Sequence, residues 1–177
     1  MANRTTRRRP SSQEAARRAG RGLERRTRYL VALLRAFMGL IFLVTWFSNL
    51  RKGLYGDEFT PFIQGWADGT SVGFYGDFLN NVVIPNADLF RYFQAITELV
   101  VMGVFLFVGF LTPVSALVAA GFSLNLLLAS YGTGEWPGTY LIMLAVLGVV
   151  ALAQAGRVLG VDATLVKKNP KPRLPIY

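Results

Sequence analysis

The chain has 177 residues, 53% of them hydrophobic and only 16% charged, yet its net charge is +9. Soluble domains average about 25% charged residues, so this composition argues against a water-covered surface. With no cysteine and no histidine, it excludes disulfides, thiol chemistry, Cys-ligated clusters, His-ligated haem or zinc, and every Ser-His or Cys-His nucleophile pair. Any redox chemistry then belongs to a quinone, a diffusible cofactor or a partner chain.

Charge and apolar surface occupy different stretches. Residues 1–28 hold ten arginines against two glutamates, 29–156 hold four basic and seven acidic side chains, and 157–177 hold five basic residues and Asp162. The first stretch reads as an Arg-rich tail. Ser11-Ser12-Gln13-Glu14 fits a capping box, so 12–28 is expected as a surface helix. Its Arg17, Arg18, Arg21, Arg25 and Arg26 would bind anionic lipid, at about 1 kcal/mol per basic residue, or dock a partner subunit. Nothing beyond charge suggests nucleic acid. Arg7-Arg8-Arg9 is reminiscent of a twin-arginine signal, but the apolar stretch behind it is too long and offers no cleavage site.

A membrane-spanning helix needs about 20 mostly apolar residues. Four stretches qualify, about 29–50, 89–111, 114–130 and 139–156. The 51–88 loop between the first two is too long to lack structure. Thr60-Pro61 reads as a cap and first turn, and the loop's aromatic residues predict one or two short helices over the spans, as interfacial packing or as a substrate lid. Asn86 is the expected N-cap of span two, with Asp88 in its first turn. Thr112-Pro113 breaks the chain between spans two and three, which form a hairpin. Gly103, Ala116, Ala120, Gly121 and Gly148 are expected at close helix contacts. Lys and Arg in short flanks mark the cytoplasmic side. Both basic ends are therefore expected inside and the 51–88 and 130–138 loops outside, where Trp46, Trp66, Trp136 and five tyrosines fall. The expectation is all-α: an integral membrane four-helix bundle over 29–166, both termini cytoplasmic, with a short-helix outer loop and a basic cytoplasmic tail over 167–177.

An ionisable residue at the centre of a span costs about 2.5–3.5 kcal/mol on insertion scales and so needs a partner or a function. Counting rise per residue, Arg35 and Gln154 lie about 9 and 8 Å from the cytoplasmic face, Glu98 and Asn125 about 16 and 17 Å. Arg91, Gln94 and Glu98 are spaced to share one face. They predict an inward polar column, with Arg35 reaching toward Glu98. Three readings stay open. Arg35 snorkels to the inner surface, or it forms a structural ion pair with Glu98. Alternatively Arg35, Gln94, Glu98, Asn125 and Gln154 form a pocket for a quinone or lipid head group, walled by Phe37, Met38, Phe105 and Phe122. There Arg35 or Asn125 would donate to a quinone carbonyl, and Glu98 would exchange protons.

Several stretches, in order, carry a family resemblance. They are Leu33-Leu34-Arg35-Ala36-Phe37-Met38-Gly39-Leu40-Ile41-Phe42-Leu43, Gly73-Phe74-Tyr75-Gly76-Asp77-Phe78-Leu79, Ile84-Pro85-Asn86-Ala87, Thr97-Glu98-Leu99, Val108-Gly109-Phe110-Leu111-Thr112-Pro113, Leu124-Asn125 and Gly156-Arg157-Val158-Leu159-Gly160-Val161-Asp162. Over about 29–166 the chain resembles the DoxX family of small four-helix membrane proteins, which includes the DoxD-type small subunit of thiosulfate:quinone oxidoreductase. It departs from the common pattern at Pro113, where such proteins often have Arg, and in its Arg-rich tail. The resemblance implies a multi-pass subunit of a bacterial or archaeal cell membrane, working in an electron-transfer assembly with protein partners, bound lipids and a quinone, and without a covalent cofactor. It does not imply catalysis by this chain. A non-catalytic anchor or scaffold for larger subunits is the alternative.

Overall fold

Forty residues without a proline wind into one helix, α1, Ser12–Arg51. The structure, a computed structural model, describes residues 12–168, and the side chains of residues 12, 14–19 and 21 lie outside that description. The capping box at 11–14 therefore falls outside the described residues. At 1.5 Å per residue α1 is about 60 Å long, twice a hydrocarbon core of about 30 Å. Residues 12–28 are thus not a separate surface helix; they continue the first apolar stretch without a break.

A tight turn with Gly53 at φ +73° leads into α2, Phe59–Gly69. This helix starts one residue before Thr60, so Thr60 is not its cap, while Pro61 sits in its first turn. It buries Phe59, Ile63 and Ala67, which line up on one face. The Thr70 hydroxyl donates to the Leu128 carbonyl at 2.7 Å and the Ser71 amide to that of Tyr131 at 2.7 Å, which ties the loop to the helices beneath.

From Gly73 to Val108 the chain is one helical path, α3. It begins well before the expected start at residue 89. Pro85 lacks the N–H that an α-helical bond there requires, and the path tightens to a 3₁₀ turn over Ile84–Asn86. It widens to π-helix over Leu79–Val83 and Thr97–Phe105. Within this path Asn86 does stand at the N-cap position of the α-helical turns Ala87–Ile96, with Asp88 in their first turn, but it makes no capping hydrogen bond; its side-chain amide donates back to the Val82 carbonyl at 2.8 Å. The path stops at Val108 rather than 111 because Gly109 (φ +72°) and Leu111 (φ +47°) turn left-handed. Next come α4, Thr112–Ser130, and α5, Gly138–Leu152. A 3₁₀ turn at Ala155–Arg157 leads to α6, Val161–Lys168. Lys167 and Lys168 end a short helix rather than open a tail, and 169–177 lie outside the described residues.

Among the described residues every regular element is helical. Gly22–Arg51, Gly73–Val108 and Thr112–Ser130 are long and apolar enough to cross a membrane; Gly138–Leu152 is apolar but has only 15 residues. Large apolar side chains stand bare on all four, among them Phe37, Leu40, Ile96, Leu117, Leu141 and Val149. Apolar surface of this extent belongs in lipid. The protein is a helical membrane protein.

The apolar helices share one core, with Met38 and Phe42 of α1, Met102 and Leu106 of α3, Ala116 of α4 and Leu147 of α5. A second core lies under α2, where Phe59 and Ile63 meet Tyr75, Leu79 and Val83 of α3 and Ala129 of α4. Helix α1 meets α3 backbone to backbone, since a Cβ on Gly39 would lie 2.8 Å from the Phe107 Cα. A Cβ on Gly103 would lie 2.6 Å from the Leu43 side chain. Ala116 is buried and Ala120 packs against the core. Gly121 and Gly148 differ from expectation, for nothing stands within 4 Å of their Cβ positions. Gly39→Ala is therefore expected to lower stability by about 1–3 kcal/mol by forcing α1 from α3. Gly121→Ala should stay within about 0.5 kcal/mol of the parent. Unfolding in mixed detergent–dodecylsulfate micelles reads both.

Candidate functional site

The last turns of α1 carry Trp46 and Asn49. Three backbone hydrogen bonds fold the chain back just after them: Lys52 N to Ser48 O, Gly53 N to Leu50 O and Leu54 N to Asn49 O. The left-handed Gly53 makes the turn possible, and it returns Tyr55 over α1. The Tyr55 ring stacks on Trp46, centroids 6.0 Å apart and planes at 27°. Trp46 in turn donates its indole N–H to the Ala95 carbonyl of α3 at 3.0 Å. One turn further along α3 lies Glu98.

Glu98 is fully buried. Its carboxylate accepts the Tyr55 hydroxyl at 2.7 Å and the Asn49 amide at 3.4 Å, and the Gln94 side chain also bonds to it. Burial first, then the adjacent Glu98 carboxylate, push the Tyr55 phenol up from its ordinary value, so it stays a donor. Glu98 opens on a cavity of about 400 Å³ lined by Asn49, Phe59, Gln94, Phe122 and Tyr140, with Lys52 and Glu135 also on its wall. The π-helical stretch of α3 begins at Thr97, next to the carboxylate. Such widened turns are frequent at functional sites.

Asn125 lines a second, smaller cavity of about 180 Å³, where it accepts the Tyr75 hydroxyl. Gln94 and Phe122 line both cavities. The structure therefore brings Gln94, Glu98, Asn125 and Phe122 together.

It does not bring Arg35 to them. Arg35 precedes Asn49 by fourteen residues on one continuous helix, about 21 Å along its axis. It is buried, which removes the snorkelling reading, and its Nη2 donates to the Phe107 carbonyl at 3.4 Å. Its Nε and Nη1 find no hydrogen-bond partner among the described residues. The guanidinium fills the space beside Gly109 and Gly160 and feels the charge of Asp162. An ion pair between Arg35 and Glu98 is thus not formed. Gln154 does not sit inside a span; it lies two residues beyond α5, in the left-handed conformation, φ +48°, just before the 3₁₀ turn. Arg91 leaves the expected column to pair with Asp88 at 2.8 Å. Of the expected walls only Phe122 faces the cavities. Phe37 is exposed, Met38 belongs to the core and Phe105 packs edge-on against Phe110. Arg25 and Arg26 are exposed on α1, and the side chains of Arg17, Arg18 and Arg21 lie outside the described residues.

Asp162 is the buried carboxylate that sequence reading passed over. It accepts the amides of Leu111 at 2.8 Å and Thr112 at 2.9 Å, while its own amide donates to the Gly109 carbonyl at 2.9 Å. Asn49 and Tyr55 were passed over as well. Asn49 is a lone amide in an apolar stretch, and that signal was available. Tyr55, in a loop, had none.

These features define a helical membrane protein that buries a carboxylate and its donors beside a cavity. The family model described as TQO small subunit DoxD matches residues 29–174, and the chain belongs to that family. The match spans all the apolar helices and both polar clusters and leaves out the Arg-rich stretch. No curated protein and no solved structure matches the chain.

Asp162→Ala strips two buried amides of their acceptor and is expected to cost about 3 kcal/mol; Tyr55→Phe, which removes one donor to a buried carboxylate, should cost about 2 kcal/mol. Micelle unfolding measures both losses. Amide exchange at 109–112 should accelerate only in the first variant.

Proposed function

We propose that this chain is the membrane subunit of a thiosulfate:quinone oxidoreductase-type assembly and holds the quinone head group in the Glu98 cavity. The observation that carries the reading is Glu98, 0% exposed yet facing an open volume of about 400 Å³. Small-molecule sites are commonly about 300–1,000 Å³ and pair apolar walls with a few placed polar groups. The lining fits a quinone ring: Phe42, Phe59 and Phe122 offer flat apolar faces, and the side-chain amides of Asn49 and Gln94 offer donors for two carbonyl oxygens, while the Tyr140 hydroxyl donates to Glu135 at 3.0 Å. A quinone takes up two electrons and two protons as it becomes a quinol. The chain has no cysteine or histidine to hold a metal redox centre, so the electrons come from a partner subunit. Glu98 accepts the quinol hydroxyl, and Tyr55 and Asn49 keep its carboxylate aimed. Arg35 takes no part in ligand contact and locks the opposite end.

In this reading α5 is a fourth crossing, short enough at about 22 Å to require local thinning of the bilayer. The Arg35 end then faces the cytoplasm, in line with the basic residues at 25–28, 157 and 167–168. A titration tests the site. A short-chain quinone added to the detergent-solubilised protein should quench Trp46 and Trp66. Asn49→Leu and Gln94→Leu should each raise its Kd about tenfold, the equivalent of 1.4 kcal/mol. Absent quenching in the parent, or equal affinity in both variants, would overturn the reading.

A second reading, as an anchor for larger subunits, draws on α1. Residues 12–28 carry the helix about 26 Å beyond Tyr29, with Arg25 and Arg26 exposed. Removing residues 1–25 is expected to release the partner subunits in native gels and leave the membrane helices folded by circular dichroism.

A further inference from the structure

The smaller cavity has no part in the site above. Its volume, about 180 Å³, exceeds that of an engineered apolar cavity of about 150 Å³ that holds benzene. Ile63, Leu79, Val83 and Met102 give it apolar walls. Of its few polar groups, the Tyr75 hydroxyl donates to the Asn125 oxygen and Gln94 bonds to Glu98, which leaves a lining that is mostly apolar. Two features give it a direction. On one side it shares Phe59, Trp66, Gln94, Phe122 and Leu126 with the Glu98 cavity. On the other it is bounded by Phe78 and Phe93, which are 38% and 64% exposed among the bare apolar side chains of α3. An apolar space thus runs from a polar cavity to a surface that belongs in lipid.

We propose that this cavity takes the first isoprene unit of the ligand's chain, which leaves the head-group cavity between Gln94 and Phe122 and reaches lipid past Phe78 and Phe93. The inference rests on the Glu98 cavity as the head-group site and names the ligand class, a long-chain amphiphile with a polar ring rather than a small soluble acceptor. The partition between the cavities is made of side chains: Phe122 packs edge-on to Phe42 at 6.5 Å, and Trp66 tilts against Phe62 at 4.4 Å. A five-carbon unit is smaller than benzene, for which a cavity of about 150 Å³ suffices. Beyond it the chain leads past Phe78 and Phe93 into lipid, where further units gain nothing specific.

Binding of head-matched quinones with zero, one and two isoprene units distinguishes the outcomes. The full chain in one detergent is compared with Val83→Phe on α3 and Ile63→Phe on α2, each of which fills the cavity. In the parent the first unit should tighten binding about tenfold or more, as burial of several methylenes implies, and the second should add little. In both filled variants the gain from the first unit should vanish while zero-unit affinity is unchanged, which also reports an intact head-group site. An equal first-unit gain in parent and filled variants would place the chain elsewhere, for instance between α1 and α5, and overturn the inference. Failure of the zero-unit quinone to bind the parent would instead overturn the head-group reading, and this inference with it.

Discussion

One carboxylate holds the amides of two consecutive residues, and the placement of the apolar helices depends on it. Asp162 accepts from Leu111 and Thr112, where α3 ends and α4 begins. Leu111 is left-handed, a conformation that costs a side-chain-bearing residue about 1–3 kcal/mol unless its surroundings enforce it. The carboxylate enforces it and also sits at the N-terminus of α4, where the helix dipole favours negative charge. Glycines make the approach possible. A Cβ on Gly156 would strike Asp162 and Thr112, and one on Gly160 would lie 2.6 Å from the Arg35 guanidinium. Arg35 adds α1 to the same knot through the Phe107 carbonyl. Three segments far apart in sequence are fastened at one end, so the register of α1 against α3 is set along their length.

That register is what delivers Asn49 and Tyr55 to Glu98 at the other end. A buried carboxylate without donors is costly, and α3 supplies only the Gln94 side chain, because its own amides serve the helix. The other donors come from the end of α1 and the turn behind it. Trp46 fixes the pair twice, through the Ala95 carbonyl and through its stack on Tyr55. The π-helical stretch beginning at Thr97 shifts the hydrogen-bond spacing of α3 where Glu98 must face inward.

Composition and hydropathy made the membrane class legible, since a chain with apolar stretches near 20 residues and segregated charge has few other solutions. Spacing placed Gln94 beneath Glu98, and counting residues put Asn125 near the same depth. The pairing of Arg35 with Glu98 failed because span two was counted from about residue 89; α3 in fact begins at Gly73, and Glu98 lies near the end of α1 rather than close to Arg35. Proline at position 85 reads in sequence as a helix boundary, yet the backbone absorbs it as one 3₁₀ turn within a longer path. Tyr55 was invisible because its position depends on a left-handed Gly53 and on a stack with Trp46, neither of which has a periodic signature. Asp162 was quoted within a motif without a role, because its partners are backbone amides fifty residues away that any sequence would supply.

The two ends also differ in how they fill space, and this decides where a ligand can go. Around Arg35 the packing elements are glycines, so backbone approaches backbone, even though two of its nitrogens lack partners among the described residues. Around Glu98 the packing elements are Phe59, Trp66 and Phe122, large rings that meet imperfectly and leave two adjoining volumes. Glycine contacts resist displacement because any change moves a backbone, whereas ring contacts can yield by side-chain rotation alone. A charged group meant for rigidity belongs among the glycines and one meant to meet a ligand belongs among the rings. The chain assigns Arg35 and Asp162 to the first setting and Glu98 to the second.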